Sequence, residues 1–370
     1  MDARVLAELV KSKKVIVCCG AGGVGKTTTS AAVGLAAAQA GRRVLVLTID
    51  PAKRLAQAMG IAENAKAPTP ISRDRLDAAG VTTGSLDAWM LNPDVVFDSL
   101  VRRMARTPEQ AQRIINSRLF RHLSEMVAGM QEFTAAEALY DLSTSGAYDL
   151  VVLDTPPARN ALDFLEAPGK LARFLDERVI NLFLPGKTRF SIFRKATELI
   201  GSVFDKVFGA ELFAEIQEFL GAFAGMFAPM RQHAEGVRDL LRGGDAAFLL
   251  VTSPEAAALT EARYFRDRIL GMKLPFAGFV LNRSWARAEN LRRPESIVLE
   301  PAASFDTING MAKLAHLANV ELARVQRDQK LLQQLSADLP PKAIAVAAPY
   351  LGDAIEDLSG LALLAKGLVG

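Results

Sequence analysis

The stretch VIVCCGAGGVGKTTT, from Val15 to Thr29, holds the residue types that bind a nucleoside triphosphate. Its glycines let the backbone turn tightly with the N–H groups facing inward, where they can surround an anion. Lys26 is expected to reach the β- and γ-phosphates, and the Thr27 hydroxyl is expected to ligate Mg²⁺. The pattern predicts a phosphate-binding loop, and the alternative is a fortuitous glycine-rich turn.

Two regular elements are predicted to hold this loop. The β-branched residues Val15, Ile16 and Val17 fit a buried strand. The stretch from Thr28 to Ala38 is rich in alanine and has no proline, which favours a helix. The dipole at the start of that helix adds to the attraction for phosphate.

Further apolar runs of strand length follow the loop. They are Arg43–Ile49, Asp149–Leu153, Ala247–Thr252, Phe276–Leu281 and Ala343–Ala347, with Leu86–Leu91 as a further edge strand. Runs this apolar suit a parallel sheet that is buried on both faces. The predicted fold is therefore α/β, a doubly wound and mostly parallel sheet of the P-loop NTPase type with an α-helical insertion. Because such sheets bind ligands at the carboxyl ends of their strands, we expect the loops there to converge on the nucleotide.

Acidic residues follow two of these strands. Asp50 is expected near the terminal phosphate, where its carboxylate could orient the attacking water. The structural alternative makes Asp50 the N-cap of a helix and Pro51 its first residue. Asp154 follows the next apolar run and is expected to hold Mg²⁺ through water, and the alternative is an aspartate that starts a turn.

The composition argues against several classes of protein. The chain has 370 residues and a formal net charge of +3, and it has no basic run long enough to bind nucleic acid. Cys18 and Cys19 are its only cysteines and form no disulfide framework, which favours a cytoplasmic location. Residues 1–14 contain no apolar signal segment, and no window approaches the roughly 20 apolar residues of a membrane-spanning helix. We therefore expect a soluble protein without stable membrane insertion.

Several segments together resemble the arsenical pump-driving ATPase (ArsA) family and its relatives that guide tail-anchored membrane proteins. They are GAGGVGKTT, TIDPAKRLA, DTPPARNALDFL, VTSPEAAALTEA and VLNR, within residues 14–165 and 245–283. The resemblance implies a Mg²⁺-dependent P-loop ATPase that binds ATP and works as a dimer.

The resemblance also implies a set of site residues. Those that bind the triphosphate would be Gly22, Gly23, Val24, Gly25, Lys26, Thr27 and Thr28. Lys26 and Asp50 would act in catalysis, Thr27 and Asp154 would hold the metal, and Asn282 would lie against the adenine. Because Arg283 and Ser284 follow Asn282 and neither is the aspartate of a guanine-reading loop, ATP is favoured over GTP.

Three departures separate this chain from the family pattern. Ala21 stands where the family has a lysine that reaches the phosphates of the partner subunit, so we expect a slow ATPase that pairs with a lysine-bearing relative. Cys18 and Cys19 match neither the family's CxxC zinc site nor its metalloid cysteines, so neither ion is expected. Arg159 and Asn160 replace the glycine and histidine usual in the second switch.

The middle of the chain is rich in phenylalanine, with eleven of its nineteen between Phe164 and Phe227. Their spacing predicts amphipathic helices. These helices could pack against each other and the sheet, or, as the resemblance implies, form a groove for an apolar client. We therefore predict an ATPase core at residues 1–165 and 244–370 and a helical insertion at residues 166–243.

Three functions remain open at this point. The first is an ATPase that switches a dimer to handle hydrophobic membrane-protein clients, and the second is the ATPase subunit of an anion or arsenite efflux pump. The third is a catalytically weak ATP-binding regulatory subunit of a heterodimer. The histidines His122, His233 and His316 are isolated in the sequence, and each is expected to be an ordinary surface or core residue.

Overall fold

The computed structural model of the chain divides into two compact units. The first comprises Met1–Met90, Tyr148–Ala158 and Gly243–Gly370, and the second comprises Leu91–Ala147 and Arg159–Arg242. The structure describes residues 2–49, 56, 59–62, 65–105, 107–116, 130–156, 227–288, 305–337, 339–352, 355 and 357–370.

The second unit includes a stretch that is predicted above to belong to the ATPase core. Residues 91–147 group with this unit rather than with the sheet. The boundary at residue 165 lies outside the described residues, and the assignment of residues 166–243 as a separate insertion stays a prediction.

A sheet of eight strands forms the centre of the first unit, as far as the described residues show. Its strands are β1 (Val15–Gly20), β2 (Arg43–Thr48), β3 (Thr69–Pro70), β4 (Ser85–Met90), β5 (Leu150–Asp154), β6 (Ala246–Thr252), β7 (Phe276–Ser284) and β8 (Ile344–Pro349). Their order is β3-β4-β2-β5-β1-β6-β7-β8, and every neighbouring pair is parallel except β3 with β4. The mostly parallel α/β sheet that the sequence predicts is confirmed.

The edge of the sheet differs in one detail from the prediction. The run Leu86–Leu91, predicted as an edge strand, forms β4, which lies second from the edge because β3 pairs with it. β3 has only two residues, too few to show a hydrophobic period. Pro70 suits that outermost place, because proline has no N–H for a further strand.

The helices of the first unit flank this sheet. Among the described residues they are α1 (Asp2–Ser12), α2 (Lys26–Gln39), α3 (Arg73–Ala78), α8 (Ala256–Gly271), α9 (Phe305–Ala337) and α10 (Leu358–Val369). Side chains from α1, α2 and α10, such as Leu6, Leu35 and Leu364, share a buried core with the strand residues Ile16 and Val46. Burying each of these side chains stabilises the fold by about 1.5–3 kcal/mol.

Helices form the described part of the second unit. They are α4 (Pro93–Met104), α5 (Pro108–Asn116), α6 (Met130–Thr144) and α7 (Phe227–Arg242). Asn92 caps α4, since its side-chain oxygen accepts a hydrogen bond from the Asp94 N–H at 3.0 Å. Most of the phenylalanine-rich segment lies outside the described residues. Across the described part of the chain, no helix is long and apolar enough to cross a membrane.

Candidate nucleotide site

The predicted phosphate loop, residues 21–25, connects β1 to α2. At its start, a Cβ on Gly20 would lie 2.1 Å from the Val251 carbonyl oxygen of β6. At its end, Gly25 has a φ of 88°, and a Cβ there would lie 2.2 Å from the Asn282 amide nitrogen. Glycine is needed at both positions because backbone and amide groups from neighbouring strands approach so closely.

Lys26 begins α2 and points its ammonium group back to the loop. Its Nζ donates a hydrogen bond to the Ala21 carbonyl oxygen at 2.8 Å, and the residue is only 5% exposed. A buried cation is costly unless it meets polar partners. The loop therefore holds a positive charge beside its own backbone, which agrees with the phosphate-binding role predicted for Lys26.

At the end of β5, the carboxylate of Asp154 accepts hydrogen bonds from hydroxyl groups of two neighbouring elements. The side chain is completely buried, and its Oδ2 accepts hydrogen bonds from Thr27 Oγ1 at 2.7 Å and Thr48 Oγ1 at 2.9 Å. A longer contact of 3.5 Å joins its Oδ1 to Ser30 Oγ. Thr27 and Ser30 belong to α2 and Thr48 to β2, so three elements meet at this carboxylate.

Strand pairing explains why these residues meet. β5 lies between β2 and β1, with Asp154 opposite Thr48 on one side and Cys18 on the other. The next residue, Thr155, donates its hydroxyl proton to the Cys18 carbonyl oxygen at 2.9 Å and so ties the end of β5 to β1. Thr27 and Asp154 supply oxygen atoms, the donor type that hard divalent cations take.

Asn282 reaches the phosphate loop from β7. Its amide Nδ2 donates to the Val24 carbonyl oxygen at 2.8 Å, and both residues are buried. The structure thus assigns Asn282 a contact that supports the loop, whereas the predicted contact with adenine stays a prediction.

The remaining predicted loop residues surround this contact. Gly22 and Gly23 are exposed, and Thr28 is half-buried in the first turn of α2. The loop and the first turn of α2 therefore leave surface on which a triphosphate could bind.

Some predicted site residues cannot be placed. Asp50, Arg159 and Asn160 lie outside the described residues, so their predicted roles stay predictions. In contrast, the contacts of Thr48 and Ser30 were not predicted. The one sequence signal for Thr48 is its place at the end of an apolar strand, beside the segment that contains Asp50.

The two cysteines are buried within β1. Burial raises the pKa of both the Cys18 and the Cys19 thiols to about 12. Both therefore stay protonated at neutral pH, and neither offers the thiolate that a soft metal or metalloid takes as ligand.

Comparison of the sequence with known proteins places the chain in a family. The family model for the anion-transporting ATPase (ArsA_ATPase) matches residues 13–291, which contain the loop, Asp154 and Asn282. The ATPase GET3 of Malassezia globosa is 27% identical over 238 residues, which span 64% of this chain and 60% of GET3. The ATPase ARSA2 of Chlamydomonas reinhardtii is 27% identical over 277 residues, 74% of this chain and 68% of the relative.

A bacterial relative matches a shorter stretch. The arsenical pump-driving ATPase of Escherichia coli is 28% identical over 166 residues, which span 42% of this chain and 26% of that protein. The chain therefore covers less than two thirds of GET3 and about a quarter of the E. coli protein. Because the family match nonetheless covers most of this chain and includes the assembled loop and carboxylate, the protein belongs to the anion-transporting ATPase (ArsA) family of P-loop ATPases.

Proposed function

We propose that this protein is a Mg²⁺-dependent ATPase that switches a dimer to handle hydrophobic membrane-protein clients. One observation carries the ATPase part of the proposal: Lys26, Thr27 and Asp154 meet at the carboxyl edge of the sheet, around a glycine loop. The client part rests on the resemblance and on the phenylalanine-rich segment of the sequence.

The loop and the residues near it would each have a different role when ATP binds. The backbone N–H groups of residues 22–27 and the start of α2 would surround the phosphates. Lys26 would move its ammonium from the Ala21 carbonyl toward the β- and γ-phosphates. Asp50 would orient the attacking water.

Thr27 and Asp154 fit a magnesium ion. Both offer oxygen donors, and their 2.7 Å contact shows that the hydroxyl and the carboxylate share one small volume beside the loop. When bound, Mg²⁺ would neutralise charge on the phosphate oxygens.

Ala21 favours a second function, that of a weakly active regulatory subunit. The family's lysine at this position acts in the partner's site, and a cation supplied in trans raises turnover by about 10³-fold or more in other NTPases. The side chain of Ala21 instead packs in the core and is 8% exposed. We therefore expect slow hydrolysis by this chain alone and faster hydrolysis in a heterodimer with a lysine-bearing relative.

An anion or arsenite pump subunit is the other alternative, which the family description and the name of the E. coli relative favour. Such a subunit needs a membrane transporter as partner. Cys18 and Cys19 are completely buried within β1, and this burial argues against direct binding of arsenite at these two residues.

ATP turnover is the test of these functions. The purified chain should bind ATP with Mg²⁺ in preference to GTP, and Lys26→Ala should abolish that binding. Turnover should be slow for the chain alone and should rise at least tenfold when the lysine-bearing relative is added. Failure to bind ATP at millimolar concentration would contradict the ATPase proposal, and fast turnover by the chain alone would contradict the heterodimer.

The client proposal needs a separate measurement. A fluorescently labelled peptide of membrane-span hydrophobicity should bind the dimer with an affinity that changes at least tenfold between ATP and ADP. An affinity that does not depend on the nucleotide would argue for the pump or the regulatory alternative instead.

A further inference from the structure

Asp154 Oδ2 is shared by two hydroxyl groups of different exposure. Thr27 lies half-buried in the first turn of α2, beside the loop. Thr48 is 1% exposed and lies at the end of β2. Burial therefore keeps Thr48 from direct contact with a ligand in the loop, whereas its hydrogen bond to Asp154 gives it an indirect one.

Backbone pairing holds Thr48 against this carboxylate. Thr48 is the register partner of Asp154 in the parallel β2 and β5 pair, and the Ile49 N–H donates to the Asp154 carbonyl oxygen at 3.2 Å. The Thr48 hydroxyl proton thus meets Oδ2 at 2.9 Å from a position that the sheet fixes.

We propose that Thr48 is a positioning residue for the metal site of this ATPase. The terminal torsion of an aspartate has broad energy wells, and the described hydroxyl contacts from Thr27 and Ser30 both reach the carboxylate from α2. The Thr48 hydroxyl adds a donor from the sheet side, which fixes the carboxylate plane that Thr27 and the metal ion would use. The proposal rests on the proposed Mg²⁺-nucleotide function.

Manganese binding tests this proposal without relying on turnover. Mn²⁺ replaces Mg²⁺ as a paramagnetic probe, and its affinity in the presence of ADP is measured by electron paramagnetic resonance. Thr48→Val keeps the shape of the side chain but removes the donor, and it should weaken Mn²⁺ binding about 10- to 100-fold, as is typical when a group behind a metal ligand is lost. Affinity for ADP without metal, measured in EDTA, should change less than about twofold, because the phosphate loop is untouched.

Two variants serve as controls. Thr48→Ser keeps the hydroxyl and should retain the wild-type affinity for Mn²⁺. Thr252→Val makes the same change at a fully buried threonine at the end of β6, whose hydroxyl has no hydrogen-bond partner within the described part of the structure. It should leave Mn²⁺ binding unchanged. If Thr48→Val does not fold, Thr48→Ala gives the same comparison with a smaller side chain.

The outcomes separate this proposal from the function on which it rests. Wild-type protein that binds ADP but no Mn²⁺ overturns the proposed metal site itself. Wild-type binding that Thr48→Val leaves intact overturns only the role of Thr48. Equal losses in Thr48→Val and Thr48→Ser assign the effect to packing of the threonine methyl and likewise overturn the positioning role.

Discussion

Asp154 and Glu137 are both completely buried carboxylates, one in each compact unit, and their surroundings differ. Asp154 accepts hydrogen bonds from the neutral hydroxyls of Thr27 and Thr48. Glu137 lies in α6, where its Oε2 is 2.9 Å from Nδ1 of His233 in α7, and its Oε1 has no hydrogen-bond partner among the described residues.

The difference shows in the acidity of Glu137. Burial raises its pKa to about 7, because the cost of desolvating the carboxylate exceeds the attraction of His233. Asp141 raises this pKa further and Arg103 lowers it. A carboxylate among hydroxyl donors suits the binding of a cation, whereas one with a single imidazole partner suits a contact between helices that changes with pH.

The largest difference between the two carboxylates is expected in ATP turnover, when each is replaced by its isosteric amide. Asp154→Asn removes the negative charge beside Thr27 and should lower Mg²⁺-dependent ATP turnover about 100-fold or more, as the loss of an electrostatic partner does in other enzymes. Glu137→Gln should leave turnover within about twofold, because Glu137 has no part in the nucleotide site. Steady-state phosphate release under saturating ATP measures both. Similar losses in the two variants would refute the assignment of the metal site to Asp154.

Glu137 is expected to affect the pH dependence of protein stability rather than ATP turnover. Glu137 in the folded protein releases its proton near pH 7, whereas a glutamate in the unfolded chain does so near about pH 4.3. Because the folded state holds this proton more tightly, the contribution of Glu137 to stability is greatest at low pH and falls as the pH rises through this window. The decrease between about pH 4.5 and 7 should be roughly 2–4 kcal/mol relative to Glu137→Gln, which has no proton to lose.

Hydrogen exchange of the α6 and α7 amides is the suitable measurement, because it reports the stability of these helices in the intact protein. The difference between wild type and Glu137→Gln should grow as the pH rises and should stay constant above about pH 7. A difference that does not depend on pH would mean that Glu137 titrates as it does in the unfolded chain.

The sequence predicts a functional role for Asp154, but it gives no signal for the buried contact of Glu137. The phosphate loop and Asp154 follow apolar strands, and parallel strands bring their carboxyl ends together, so the contact of Thr27 with Asp154 agrees with the motif. His233 appears isolated in the sequence because its partner Glu137 lies 96 positions away. The expectation of an ordinary histidine is therefore incomplete, since His233 partners a buried carboxylate.

The contact of Thr48 with Asp154, in the unit that contains the sheet, could not be predicted from the sequence either. It lies 106 positions from Asp154, and the contact exists only because β2 is the neighbour of β5 in the sheet. Strand order depends on how the whole chain packs, whereas the strand runs themselves depend on local burial. Most strands were therefore predictable, but the side chains that meet between them were not.

Each unit has a glycine in the left-handed backbone conformation, and the two positions allow the effect of a side chain there to be compared. Gly25, in the loop, and Gly146, in the second unit, have φ values of 88° and 75°. Alanine in this conformation costs about 1–2 kcal/mol at either position. Gly25→Ala should cost roughly a further 1–3 kcal/mol, because its Cβ would displace the buried Asn282 amide from the Val24 carbonyl.

Gly146→Ala is the matched control, since a Cβ there meets no atom within 4 Å. Urea unfolding of the two variants gives the difference in unfolding free energy. If both lose the same stability, the Asn282 contact contributes nothing to the loop, and the closeness of the two groups has no energetic consequence.

The smallest effect is expected at an exposed carboxylate. Asp149 accepts a hydrogen bond from Arg43 Nη2 at 2.7 Å, and its side chain is 38% exposed. Hydrogen bonds from Arg43 lower the pKa of Asp149, so this pair stabilises the fold at neutral pH and loses its effect as the pH falls through the lowered pKa. Water screens the pair, and Asp149→Asn should therefore cost less than about 1 kcal/mol in the urea unfolding of the protein at pH 7.

Asp149 makes several direct contacts with a full positive charge, whereas Glu137 meets one imidazole, so a ranking by number of partners would place Asp149 first. A loss above about 2 kcal/mol for Asp149→Asn would support that ranking, and a smaller loss would make burial the property that separates the carboxylates of this protein.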